Sequence, residues 1–353
     1  MKVHRAPENP IITPDMVLAS RPDMDVVGVF NAGATRFEGE TILLLRVSEA
    51  PHQTPGVVAA PHYNADTRRV EIKRWMQDTE GLDASDPRVV VAEGHTWLTS
   101  MSHFRVARSR DGIHFEVDGT PAFTPGTQYE GFGVEDPRIT LLDGAYWINY
   151  TAVSRYGIST ALASTKDFRT FTRHGVIFSP PNRDITIFPE RIGGRYAALH
   201  RPMPEGLGDP AIWLATSPDL ISWGNHSLVA TSRPGKWDDL KIGGGAVPFR
   251  VHAGRRDAWL AVYHGVTRSP PTYSLGALLL DIHDPGRVLG RSREPILAPE
   301  TSYEREGFYG DVVFTCGLIA EGDRVRIYYG AADAVMAVAD LSLAEILAGL
   351  SES

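Results

Sequence analysis

"ARSRDGIHF" at residues 107–115, "ASTKDFRTF" at 163–171 and "ATSPDLISW" at 215–223 share one pattern, A-x-[ST]-x-D-x-x-x-[FW]. They start 56 and 52 residues apart. Each reads as a short strand, then a turn in which Asp111, Asp167 or Asp219 can accept hydrogen bonds from the backbone, then an aromatic residue that begins the next strand. A further strand with a polar end precedes each box: "TWLTSMS", "YWINYTAVS" and "RYAALHRP". The series continues through "AWLAVYHGV" with "LGALLLD" and "VRIYYGAAD" with "VMAVAD". Matching openings are "SDPRVV", "EDPRIT", "FPERI", "GAVPFR" and "VVFTCGL". The period is about 50 to 65 residues, with four short strands in each unit.

A four-stranded unit at that period is the signature of a β-propeller blade, whose sheet packs face to face on its neighbours around a central channel. The expected fold is all-β, a five-bladed β-propeller. Six blades are the alternative, because six openings can be counted from "VFNAGATRF" and the stretch from 48 to 95 is irregular. Another all-β fold with coincidental turn boxes is the competing reading. The C-terminal "LSLAEILAGL" reads as a short helix, with Leu341, Leu343, Ile346, Leu347 and Leu350 near helical spacing. One catalytic domain is expected over residues 1–353.

Composition narrows the function. The 35 Lys and Arg against 43 Asp and Glu, with no basic block, argue against nucleic acid or an anionic membrane as partner. A single cysteine, Cys316, excludes an internal disulfide and suits a reducing compartment, where it reads as a small buried side chain. The N-terminus lacks an apolar h-region and no run approaches a membrane span, so a cytoplasmic location is expected. A homo-oligomer is left open.

In a propeller, polar residues at the ends of the innermost strands converge on one face of the ring. Asn31, Arg46, Asp86, Arg88, Asp136, Arg138, Arg183, Glu190, His200, Arg201, Lys241, His264 and Asp333 occupy such openings or strand ends. Many lie inside apolar strands, where an unpaired charge is costly. There is no G-x-S-x-G, H-E-x-x-H or Walker loop, so no metal or organic cofactor is expected. "KIGGGAVPF" reads as a close backbone approach. What remains is a carboxylate beside several cations, which suits cleavage of a sugar acetal. The leaving oxygen needs a proton from a carboxylic acid, and inversion by water needs a second carboxylate as base. Phosphate arrives already anionic and needs Arg, Lys and His to hold it instead. One acid with a basic cluster predicts phosphorolysis, and two facing acids predict hydrolysis.

"VFNAGA", "LLLRV", "GVEDPRIT", "NRDITIFPERI", "ALHRP", "KIGGGAVP", "VYHGV", "YEREGFYGDVVFTCG" and "YYGAAD" resemble, in order, the motifs of glycoside hydrolase family 130, the mannoside phosphorylases. "APHYNADTRRVEIKRW", "DPRVV" and "LTSMSHFRVARSRDG" resemble its branch acting on β-1,2-mannobiose or β-1,2-mannooligosaccharides. The resemblance implies a five-bladed propeller that cleaves β-mannosides with inversion, phosphate being the co-substrate and α-mannose 1-phosphate a product. It places the catalytic acid on Asp136, acting through a hydroxyl of the bound mannose. It implies phosphate binding by Arg183, Arg201, Lys241 and His264, and mannose contacts at Asn31, Arg46, Arg138 and Asp333. Arg88, His200, Tyr263 and Asp311 are added as substrate contacts. Arg183 stands where the family pattern has lysine, which keeps the charge and turns a point into a fork. Two alternatives remain: a phosphate-independent β-mannoside hydrolase with Glu190 or Glu135 as base, and a non-catalytic sugar-binding propeller. Within "GVEDPRIT", strand alternation sends Glu135 and Asp136 to opposite faces. Asp136 then points into the channel, Glu135 braces the strand from behind, and Pro137 fixes the turn.

Overall fold

The turn boxes fold as their composition requires. In a computed structural model of the chain, which describes residues 1–204 and 206–352, each box joins the third strand of a unit to the fourth. Asp111 Oδ1 accepts the backbone N–H groups of Ile113 and His114, Asp167 Oδ1 those of Arg169 and Thr170, and Asp219 Oδ1 those of Ile221 and Ser222. Asp281 repeats the device on His283 and Asp284, a fourth copy that lacks the serine or threonine of the pattern. Each carboxylate satisfies two donors that a tight turn would otherwise leave to water.

The strands assemble into five antiparallel four-stranded units. Unit one holds Met24–Phe37, Glu40–Pro51, Met101–Ser109 and Glu116–Val117. Unit two holds Gly133–Leu142, Ala145–Ser154, Gly157–Thr165 and Thr172–Phe178. Unit three holds Asn182–Ile187, Tyr196–Pro202, Ile212–Ser217 and Gly224–Ala230. In unit four the first strand is broken into Lys241–Gly244 and Phe249–Ala253, both pairing with Arg256–Val266, followed by Tyr273–Asp281 and Val288–Ser292. Unit five takes Val313–Glu321, Arg324–Ala331 and Val335–Ser342, and its fourth strand, His4–Arg5, comes from the N-terminus. The C-terminal helix is shorter than expected, Leu343–Ala348, because Leu341 lies in the strand that runs to Ser342 and Leu350 starts one on the edge of unit four. Ser342 caps it by accepting the N–H of Glu345. Among the described residues no helix is long and apolar enough to cross a membrane.

Central strands are apolar on both faces, and alternation deals their side chains to two different cores. Ile42 and Leu44 pack with unit two, while Leu43, Leu45 and Val47 pack with unit five. Leu260 and Val262 pack with unit five, while Trp259, Ala261 and Tyr263 pack with unit three. A separate core joins units two and three through Leu162, Phe178, Ile187 and Tyr196. Every unit thus shares one core with its predecessor and one with its successor, the fifth with the first.

The first strands of the units approach one another closely. A Cβ on Gly33 would stand 2.6 Å from the Pro137 carbonyl oxygen, so only glycine fits where units one and two meet. Each of the first three of these strands also bulges at the same place. Pairing skips between Phe30 and Gly33, between Glu135 and Arg138, and between Arg183 and Thr186. The first of the two residues inside each skip is left-handed: Asn31 at φ 52°, Asp136 at φ 52° and Asp184 at φ 58°. Asn and Asp tolerate that conformation better than other side-chain-bearing residues, and a bulge re-aims the side chain it carries. The opening of unit three is therefore "NRDIT"; "FPERI", read as that opening from sequence, follows the strand.

"SDPRVV" does not open a unit either. Between Glu40–Pro51 and Met101–Ser109 the chain makes two hairpins, Val57–Asn64 with Arg69–Met76 and Val89–Ala92 with His95–Leu98. They share a small core of Ala60, Trp75, Val90 and Ala92. The irregular stretch is an insertion in unit one.

Candidate active site

The three bulges bring Asn31, Asp136 and Asp184 to the region where the first strands meet. Asp136 is 6% exposed. Its Oδ1 accepts Asn31 Nδ2 at 3.0 Å and Arg46 Nη1 at 2.9 Å. Burial alone would raise this carboxyl, but the guanidiniums of Arg46, Arg138 and Arg183 and the Asn31 amide outweigh it and hold it below the ordinary carboxylate value. Glu135 lies on the same side: Arg46 Nη2 meets its Oε1 at 2.9 Å and Arg183 Nη2 its Oε2 at 3.3 Å. The expected alternation fails here because the left-handed turn at Asp136 resets it. Glu135 does not brace the strand from behind; it ties Arg46 to Arg183.

Arg138 is 1% exposed and spans from unit two to unit four. Its Nε and Nη2 donate to the carbonyls of Gly245 and Gly244, both at 3.0 Å, and its Nη1 to the Asp136 carbonyl at 3.2 Å. Those bonds consume most of its fork, so its part is to fix the backbone around the acid.

Asp184, which the sequence reading did not single out, organises the basic residues. Arg201 donates to its Oδ2 through Nε at 2.7 Å, with Nη2 2.5 Å away, and His264 Nε2 lies 3.7 Å from the same oxygen. Burial works against its charge, but Arg201, His264, Arg138 and Arg183 together hold Asp184 far below the ordinary carboxylate value. Gly243 lines this cluster so closely that a Cβ would stand 2.5 Å from His264 Cε1, 2.7 Å from Asp184 Oδ2 and 2.8 Å from Arg201 Nε. That is the close approach anticipated in "KIGGGAVPF". Lys241, half-buried, has its ammonium 5.0 Å from the Tyr273 ring. Burial, Arg201 and Arg183 lower its pKa, with Asp184 opposing. His264, packed on Phe314 and Tyr273, is pushed down to about 3 by burial and by Arg201, Lys241 and Arg138 against Asp184. At neutral pH it is a neutral donor, not one of the cations.

Asp333, left-handed at φ 50°, completes the acid side. Burial raises its carboxyl to about 6, helped by Asp136 and Glu135 and opposed by Arg46 and Arg183. Arg88 reaches the mouth from the inserted hairpins. Asp86 holds it, accepting from Nε at 3.0 and 3.3 Å and from Nη2 at 2.7 Å, and its guanidinium sits 5.8 Å from the Tyr309 ring. Asp311, also left-handed, precedes Val313–Glu321, and its carbonyl accepts the Tyr273 N–H.

Three sequence expectations fail. His200 points to the other face of its strand from Arg201, against Phe178, with His226 Nδ1 3.0 Å from its Nε2 and Asn182 Nδ2 3.1 Å from its Nδ1. Tyr263 is 1% exposed in the core between units three and four, where its hydroxyl donates to Asp238 Oδ2 at 2.8 Å and its ring stacks on Trp237. Both are packing residues, sent away from the site by the alternation that delivers Arg201 and His264. Glu190 is gripped by Arg250 on the exterior, away from the acid.

A cavity of about 800 Å³ lies between the inserted hairpins and unit two, with Tyr63, Trp97, Phe132 and Tyr156 among its lining and none of the residues of this centre. Among the described residues no group of three or more His, Cys, Asp or Glu side chains is placed to hold a metal ion. Cys316 is a free, buried thiol, pushed well above its ordinary pKa by burial.

A family model described as β-1,4-mannooligosaccharide phosphorylase matches residues 98–352. A β-1,2-mannobiose phosphorylase of Listeria innocua is 45% identical over 352 residues, which is 98% of each chain. The solved structure of the Listeria innocua enzyme in complex with β-1,2-mannobiose matches with a TM-score of 0.93 over 99% of each chain. A 1,2-β-oligomannan phosphorylase of Thermoanaerobacter is 37% identical over 249 residues, 70% of this chain and 80% of its own. A match along most of the length, with near-complete coverage by a relative of that identity, establishes that the chain belongs to glycoside hydrolase family 130.

Proposed function

We propose that the protein is a β-1,2-mannobiose phosphorylase. It cleaves β-1,2-mannobiose, or short β-1,2-mannooligosaccharides, with inorganic phosphate, and inversion gives α-D-mannose 1-phosphate and the shortened sugar. The observation that carries this reading is the buried Asp136 in a site where Arg183, Arg201 and Lys241, with His264 as donor, gather into a basic group. The hydrolase alternative loses its named bases: Arg250 holds Glu190 outside, and Glu135 is clamped between Arg46 and Arg183.

Asn31, Arg46 and Asp333 face the mannose whose bond is cut, and Arg183, Arg201, Lys241 and His264 hold phosphate for attack on its anomeric carbon. Asp136 is ionised in the free protein because three guanidiniums surround it. Bound phosphate places negative charge against Arg183 and the rest of the cluster, which raises the proton affinity of Asp136, so that it takes up a proton from solvent and passes it to the leaving oxygen through a sugar hydroxyl. Phosphate needs no base, so Asp136 is the only proton-transferring side chain the reaction requires. No metal or organic cofactor takes part in this scheme.

The same proposal includes a five-bladed propeller forming one catalytic domain. Its support is that five four-stranded units share cores in cyclic order, with unit five packed on unit one and completed by the N-terminal strand. A cytoplasmic site of action, consistent with the free thiol of Cys316, belongs to it as well. Incubation with β-1,2-mannobiose with and without phosphate, assaying mannose 1-phosphate, tests the activity. Phosphate-dependent mannose 1-phosphate is expected; free mannose released at equal rate without phosphate would overturn it, and no turnover of any mannoside would leave a sugar-binding propeller.

A further inference from the structure

Asp184 poses a question that orienting Arg201 does not answer. A buried, ionised carboxylate beside an anion site repels the anion, and an asparagine could accept from Arg201 without that penalty. The two oxygens of Asp184 are used unequally. Oδ2 takes both Arg201 contacts and faces His264. Among the described residues Oδ1 has only Arg138 Nη2, at 3.6 Å, beyond ordinary hydrogen-bond length. The side chain is 3% exposed, and the backbone of Gly243 packs closely on its Oδ2, on Arg201 and on His264, which leaves Oδ1 as the oxygen without a donor at hydrogen-bond length. A carboxylate with a free acceptor, set among donors that hold an oxyanion, recognises an oxyanion that carries a proton.

Resting on the reading of this cluster as the phosphate site, we propose that Asp184 selects hydrogen phosphate by accepting its P–O–H proton in a hydrogen bond, and so excludes fully deprotonated tetrahedral anions such as sulfate. Hydrogen phosphate offers one donor that satisfies Asp184 and offsets the repulsion. Sulfate offers none and meets the carboxylate lone pairs directly. Sites built to hydrogen-bond one group discriminate strongly against the analogue that lacks it, because a buried partner is left unpaired.

The experiment measures phosphate KM and sulfate inhibition during phosphorolysis of β-1,2-mannobiose by the full chain and by Asp184→Asn. Asparagine tolerates the left-handed conformation at φ 58° and offers sulfate an N–H. In the native protein the sulfate inhibition constant is expected to exceed the phosphate KM by about tenfold or more. In Asp184→Asn phosphate KM rises about tenfold, sulfate inhibition is unchanged or stronger, and the mannobiose KM stays within about twofold. Parallel loss of both anions would overturn the proposal and reduce Asp184 to a positioning residue for Arg201. Should the variant not fold, arsenate decides on the native protein, since it is protonated like phosphate: turnover with arsenate alongside weak sulfate inhibition supports the proposal, and arsenate excluded together with sulfate overturns it. Phosphate-dependent turnover with sulfate bound as well as phosphate defeats this inference alone, whereas phosphate-independent turnover defeats the phosphorylase reading with it.

Discussion

Asp136 and Asp333 are two carboxylates that the same surroundings drive in opposite directions, and both consequences are measurable. Asp136→Asn keeps the shape and the Asn31 and Arg46 neighbours but removes the proton. Phosphorolysis should fall by about 10³-fold or more, with an unchanged circular dichroism spectrum; activity within a few-fold of native would remove Asp136 from the acid role. Asp333 is raised from 3.8 to about 6, so between those values the folded protein holds a proton that the unfolded chain has released. The carboxyl is neutral and harmless in the fold at low pH, and stability is lost as pH rises through about 6. Asp333→Asn should therefore melt higher than native at about pH 8, with the advantage shrinking towards about pH 4.5. A difference in melting temperature that does not vary with pH would refute the titration. Single residues were only partly legible from sequence. Asp136, Arg46, Arg201 and Lys241 are unusual charges in apolar strands and could be found, but Tyr263 and His200 look no different in type. Only the exact face of the strand tells them apart, and one bulge reverses it.

At the scale of strands, the turn boxes were readable because an Asx turn is a local event, fixed by a carboxylate and the two N–H groups that follow it. The bulges were not. They appear only once strands pair, and the alternation that predicted Glu135 and Asp136 on opposite faces assumes an unbroken ladder. The signal was nevertheless in the chain: "FNAG", "EDPR" and "RDIT" align residue for residue across the three bulges, each with Asn or Asp second. That alignment would have identified Asp184 and dismissed "FPERI". Gly243 is the corresponding element-scale test. A methyl there collides with three groups of the basic cluster at once, so Gly243→Ala should cost about 1–3 kcal/mol in thermal or chemical unfolding. It should also raise phosphate KM more than mannobiose KM, since the methyl enters the cluster and not the Asn31 side of the site. Equal effects on both would mean the strand moves as a whole.

For the whole molecule, the question is what the two inserted hairpins do to five repeated units whose shared cores do not include them. Glu49 pairs directly with Met101, so the chain leaves and re-enters unit one at adjacent positions. The hairpins carry their own small core. The family match begins at residue 98, where they end. None of the five cores shared between units uses a residue from 52 to 98. Replacing residues 52–99 by a short glycine-containing turn should therefore leave a folded protein, because loop shortening between ends already in contact costs little chain entropy. Phosphate KM should stay near native, as Arg183, Arg201, Lys241 and His264 all lie in units three and four. The sugar side should change, because Arg88 over Tyr309 is lost. The expected readout is a mannobiose KM raised by about tenfold and an altered ratio of activity on mannobiose to that on mannotriose. If both sugars and phosphate respond equally, the hairpins stabilise unit one and take no part in recognising substrate.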